Sequence, residues 1–167
     1  MIGNYEVTFV EALAPQNITG TAVDANYISM KGYDHCTIVI QTGAWAGGTS
    51  AVTINRATAV DATGEDVGGV EFDYMYTNDG ATTLSALTKT AVTADTFNLD
   101  TANSMYIIEI PADTIKGSST TAYDCIQLAL ATPGGNNDYV SATYVLWKGR
   151  YKSDVPIEPL TDSGLTS

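Results

Sequence analysis

His35-Cys36-Thr37-Ile38-Val39-Ile40-Gln41-Thr42 decides the fold. Cys36, Ile38 and Ile40 occupy alternate positions, and Thr37, Val39 and Gln41 stand between them. A period of two rich in β-branched residues marks a strand with two distinct faces. Before it, Lys31-Gly32-Tyr33-Asp34 reads as a turn, and after it Gly43-Ala44-Trp45-Ala46-Gly47-Gly48 reads as a loop. Beyond the loop, Ser50–Ala57 alternates Val52, Ile54 and Arg56 with Thr53 and Asn55. Two such strands joined by a Gly-rich connection read as a hairpin.

The same period recurs outward in both directions. On the N-terminal side it predicts a strand over Tyr5–Leu13 ended by Pro15, then extended runs over Ile18–Val23 and Asn26–Met30. On the C-terminal side Val70–Thr77 reads as a strand, Asn78-Asp79-Gly80 as a turn and Thr83–Leu87 as one helical turn. Thr88–Leu99 is extended with Val92 and Phe97 as anchors, and Met105–Ile110 is a strand that stops at Pro111. Tyr123–Ala131 and Tyr139–Tyr151 are strands around a loop at Pro133–Asp138. Eight to ten short strands separated by turns predict an all-β fold, an antiparallel two-sheet β-sandwich, jelly-roll-like or immunoglobulin-like, with extended terminal arms. A closed barrel is the lesser alternative. Residues 1–152 form the sandwich domain, and 153–167, with Pro156 and Pro159 and no periodicity, an extended or disordered C-terminal arm.

Composition narrows the function classes. At 167 residues the chain fits one domain, and 44% hydrophobic content suffices for a core. Seven Lys and Arg against 19 Asp and Glu give a net charge of −12. That sign argues against nucleic acid or an anionic membrane as partner, since both attract a basic face. No apolar run approaches the roughly 20 residues that span a bilayer. Met1-Ile2-Gly3-Asn4-Tyr5-Glu6-Val7 has neither a basic n-region nor an apolar h-region, so manufacture in a cytosol is expected.

Catalytic chemistry finds little material. His35 is the one histidine, and its neighbour Cys36 should point to the opposite face of the strand, so no nucleophile–base pair is expected. Cys36 and Cys125 read as buried thiols, and with His35 they are too few for structural zinc. Asp61, Glu65, Asp66, Glu71 and Asp73 crowd together, but their spacing matches no calcium loop and reads as a solvated acidic face. Neither cofactor nor metal is expected, and the chain reads as a non-enzyme. A carboxylate-dependent hydrolase is the weakest rival. Trp45 in its Gly-rich loop, with Tyr74, Tyr76, Trp147 and Tyr151, supports a rival reading as a carbohydrate-binding or fibre module. Lys148, Arg150 and Lys152 form a basic cluster around Tyr151 that suits contact with an acidic neighbour, including another copy of this chain. Trp45, Lys148, Arg150, Tyr151 and Lys152 are therefore the candidate partner-binding residues.

Tyr27-Ile28-Ser29-Met30-Lys31-Gly32-Tyr33-Asp34-His35, continuing through Gly43, then Gly47–Ile54 and Ala57–Asp61, carry one further signal. Over residues 26 to 62 the chain resembles small head accessory proteins of tailed bacteriophages. The resemblance implies a virion structural protein with a β-rich fold: a capsid decoration or cement protein on the outer capsid surface, often a homotrimer. Its implied partners are the major capsid protein and itself. A head-to-tail connector component is the alternative within the same class.

Overall fold

The structure, a computed structural model, describes residues 7–78, 87–117 and 121–149. Among these the strands are β1 (Val7–Asn17), β2 (Val23–Asp24), β3 (Ile28–Ser29), β4 (Tyr33–Trp45), β5 (Ser50–Ala57) and β6 (Tyr74–Asn78). They continue with β7 (Thr88–Ala91), β8 (Phe97–Leu99), β9 (Met105–Pro111), β10 (Cys125–Leu130) and β11 (Asp138–Gly149). No helix occurs among the described residues. A six-stranded sheet runs β1-β11-β4-β9-β6-β7. A five-stranded sheet runs β2-β10-β5-β8, with β3 also on β10. Every pairing is antiparallel. The chain is an all-β sandwich of two antiparallel sheets.

The alternation of β4 sets the core. Cys36, Ile38 and Ile40 are fully buried, and Ile108 and Ile110 of β9 and Tyr144 and Leu146 of β11 join them. Val52 and Ile54 of β5 and Ile126, Leu128 and Leu130 of β10 belong to the same cluster from the other sheet. Each such aliphatic side chain contributes about 1.5–3 kcal/mol when withdrawn from water.

Four expectations are corrected. β4 and β5 are not a hairpin, because they lie in different sheets. β4 is already bonded on one edge by β11 and on the other by β9, so no ladder remains for β5. The glycines instead carry the chain across the end of the sandwich, and β4 itself runs on to Trp45. Pro15 does not end the first strand. β1 is an edge strand whose register to β11 shifts between Glu11 and Leu13 and again between Leu13 and Gln16, so a residue without an N–H fits. Thr88–Leu99 is two strands in two sheets, broken by a turn in which Ala94 and Asp95 take positive φ (57° and 55°). Of Ile18–Val23, only Val23 is in a strand. The helical turn predicted over Thr83–Leu87 lies, apart from Leu87, outside the described residues, as does the C-terminal arm.

One side chain ties the two sheets together. β2 and β3 lie end to end along β10, pairing with Ala129–Leu130 and Cys125–Ile126 respectively. In the gap between them the Leu128 N–H and the Asn26 carbonyl have no ladder partner. Tyr144, reaching across from β11, fills the gap: its hydroxyl accepts from Leu128 N (2.8 Å) and donates to Asn26 O (3.1 Å). Next to it, Gln127 Nε2 donates to Ala25 O (2.8 Å).

Candidate functional site

His35 and Cys36 point to opposite faces of β4. Cys36 is fully buried, while the His35 ring stacks on Trp147 at the outer face (centroids 4.6 Å apart, planes 21°). Trp147 Nε1 donates to Thr37 Oγ1 (3.0 Å), which fixes the indole flat on the sheet. Burial pushes the Cys36 thiol up to about 12. Cys125 is also raised to about 12, first by burial and then by its hydrogen bond to Asp124. Thiols of this kind are poor nucleophiles, because attack requires the thiolate. Neither Cys36 nor Cys125 should react with an aromatic disulfide reagent at pH 8 until the chain unfolds, after which two thiols should titrate. Rapid labelling of the folded protein would contradict this burial.

The acids of residues 61–73 disperse into separate tasks. Asp61 Oδ1 accepts from Thr63 N (3.0 Å), and the hydrogen bonds from Thr63 hold its carboxyl below the usual range. Glu65 accepts from the Tyr27 hydroxyl (2.6 Å), and Asp66 pairs with Arg56 (2.8 Å). Arg56 in turn lies over the Tyr123 ring, 4.5 Å from its centroid. Glu71 and Asp73, with Tyr74, Tyr76 and Glu109, line an open cleft of about 310 Å³. Lys89 sits 3.6 Å above the Tyr74 ring and 5.9 Å from that of Tyr76.

Trp45 is half-buried rather than displayed. It packs against the core, and its Nε1 donates to Gly48 O (3.1 Å), closing its own loop. Asp138 Oδ1 holds the same loop by accepting from Ala46 N (2.7 Å). Lys148 lies within β11, while Arg150, Tyr151 and Lys152 lie outside the described residues. The structure therefore does not bring the five candidate residues into one described site.

Strand register assembles a surface that the sequence reading missed. On the outer face of the six-stranded sheet, Val7, Trp147, His35 and Pro111 form one row. Phe9, Val145, Thr37 and Glu109 form the next, and Glu11, Thr143, Val39, Ile107 and Tyr76 the third. Phe9 is 64% exposed, Val7 38% and Tyr74 47%. The available signal was the alternation of Val7, Phe9 and Glu11 in β1, but alternation alone does not say which face is buried. The outer side of the other sheet differs. There Asn55 donates to Gln127 Oε1 (2.9 Å) and accepts from Gly68 N (2.8 Å), so its polar groups are spent internally.

No protein-family model matches the sequence, and no curated protein matches it. Among solved structures, the chain is similar to the SPBc2 prophage-derived protein YomS. The two are 5% identical with a TM-score of 0.50, over 89% of this chain and 98% of that one. VP2 of infectious bursal disease virus, from a subviral particle, aligns at 9% identity and a TM-score of 0.24, over 87% of this chain and 42% of that one. The likeness to YomS is one of fold.

Proposed function

We propose that this chain is a structural protein of a tailed-phage virion, and in particular a capsid decoration protein that binds the major capsid protein and further copies of itself. The observation that carries the reading is the outer face of the six-stranded sheet. It is a broad surface with Phe9, Val7 and Tyr74 exposed beside Thr37 and Thr143 and the partly buried Val39, Ile107 and Val145. Such a face suits adhesion to another protein surface. The fold of a prophage-derived protein over most of the chain supports the same class, as does the resemblance of residues 26 to 62 to phage head accessory proteins. The net charge of −12 fits a position away from packaged DNA. Many weak contacts repeated over a shell add up, so each copy needs only a modest interface.

The test is a purified particle. Mass spectrometry of intact heads should find the chain in a fixed ratio to the major capsid protein, and an image reconstruction should place it on the outer shell. A handful of copies at the neck would assign it to the connector instead. Absence from washed particles would remove the virion reading altogether.

A further inference from the structure

We propose that Val7–Glu11 of β1 pairs antiparallel with the same stretch of a second copy, about a two-fold axis through Phe9, so that two six-stranded sheets join into one across a homodimer. The proposal deepens the reading above and rests on its self-association alone, so the purified chain tests it without any particle. The first support is an open ladder. β1 is an edge of its sheet, bonded by β11 on one side. Alternate residues of such a strand aim their N–H and C=O groups away from the bonded neighbour. Among the described residues no backbone group bonds Val7–Glu11 on that outer side. An unpaired ladder is matched by an extended strand rather than by a small molecule.

The second support is where the edge is guarded and where it is not. From Ala12 onward β1 is interrupted for a partner strand: the Ala12 carbonyl accepts from Asn26 N (3.2 Å), the register to β11 shifts twice, and Pro15 brings no N–H. The other edges among the described residues are blunted in the usual ways. β2 and β3 have two residues each, β8 has three, and β7 carries Lys89. Val7-Thr8-Phe9-Val10 has none of these devices. It is uncharged, free of Pro and Gly, regular against β11, and built of β-branched and aromatic residues. Phe9 is 64% exposed and Val7 38%. The third support is self-complementarity. Full overlap of the stretch with itself sets Phe9 opposite Phe9, Thr8 opposite Val10 and Val7 opposite Glu11. The two exposed rings then cover each other. The two Glu11 positions stand four residues apart along the ladder, about 14 Å at 3.4 Å per residue, beyond the screening length of about 8–10 Å. A two-fold axis gives both copies the same contact, so neither open stretch is left over.

The test uses the full chain. Sedimentation equilibrium should find a monomer–dimer equilibrium. Phe9→Asp, which sets like charges opposite each other, should weaken it at least tenfold, and Phe9→Leu, which keeps an apolar contact, should preserve it. For the register, Val7→Cys and Glu11→Cys are prepared separately, mixed and oxidised. The native thiols stay silent because Cys36 is 0% and Cys125 2% exposed. The mixture should give a disulfide-linked dimer, because directly opposed Cα atoms lie within the roughly 4.4–6.8 Å that a disulfide spans. Either variant alone should not link, since its two thiols stand about 14 Å apart along the ladder. Linking within each variant alone as readily as in the mixture, or no link in the mixture, would overturn the Phe9-centred register. A trimer, or a dimer that Phe9→Asp leaves intact, would overturn the pairing. So would a chain that stays monomeric at every concentration, including one whose edge takes a strand from another protein instead.

Discussion

Gly48→Ala should lower stability by about 2–5 kcal/mol, from left-handed backbone strain together with overpacking. Gly48 holds φ at +85°, and a Cβ built there falls 2.0 Å from the carbonyl oxygen of Pro133 and 3.1 Å from its carbonyl carbon. Both contacts are backbone, so relief requires one loop to move off the other. Those two loops close the end of the sandwich where the chain crosses from β4 to β5. Gly32→Ala is the control: its φ is +91°, but nothing lies within 4 Å of the added methyl. It should show the backbone term alone, about 1–2 kcal/mol. Urea midpoints for the two variants, at equal slope, measure the difference. Equal losses would mean that the Pro133 approach is looser than described.

Tyr144→Phe should cost about 2–4 kcal/mol, although it removes a single oxygen. The Leu128 N–H and the Asn26 carbonyl would both be left in the interior with no partner, and leaving such a group unsatisfied costs about 1–3 kcal/mol. The ring would still fill its space, so the loss reports hydrogen bonding rather than packing. The pH dependence gives an independent check. Burial pushes the Tyr144 phenol above its ordinary value of 10.0. The folded chain therefore keeps its proton where the unfolded chain begins to ionise. The contribution is complete below pH 10 and declines as pH rises beyond it. The gap between wild type and Tyr144→Phe should narrow in urea titrations above pH 10. A gap that is small at pH 7, or that widens in alkali, would contradict the role given to this hydroxyl.

Much of the fold was readable because burial of one face writes itself into alternate positions. The residues of β5, β9 and β10 announce themselves within a residue or two at each end, and Phe97 is the buried anchor it was read as. What was not readable depends on partners distant in sequence. A Gly-rich loop looks the same whether it returns a strand beside its predecessor or carries it to the opposite sheet, and only the bonding of β4 on both edges decides between them. Pro15 misled because a proline stops a central strand but not a bulged edge strand. The interruption between β2 and β3 is invisible without Tyr144, which stands 118 residues from Asn26. The same limit applied to function. Trp45 looked exposed because its loop is rich in glycine, yet its indole turns back on Gly48. The Phe9–Trp147 surface exists only because β1 and β11, the two ends of the described chain, are neighbours.

That neighbourhood has a mechanical consequence. The start of β1 and the end of β11 sit side by side at one corner, with Val7 opposite Trp147. A force that draws the two termini apart loads the ladder one rung at a time, like a zipper. A tug on either terminus alone, resisted at the far pole near Asn17 and Tyr139, loads every rung of that ladder together in shear. An attachment made through one end would therefore hold far better than one that strained both ends in opposite directions.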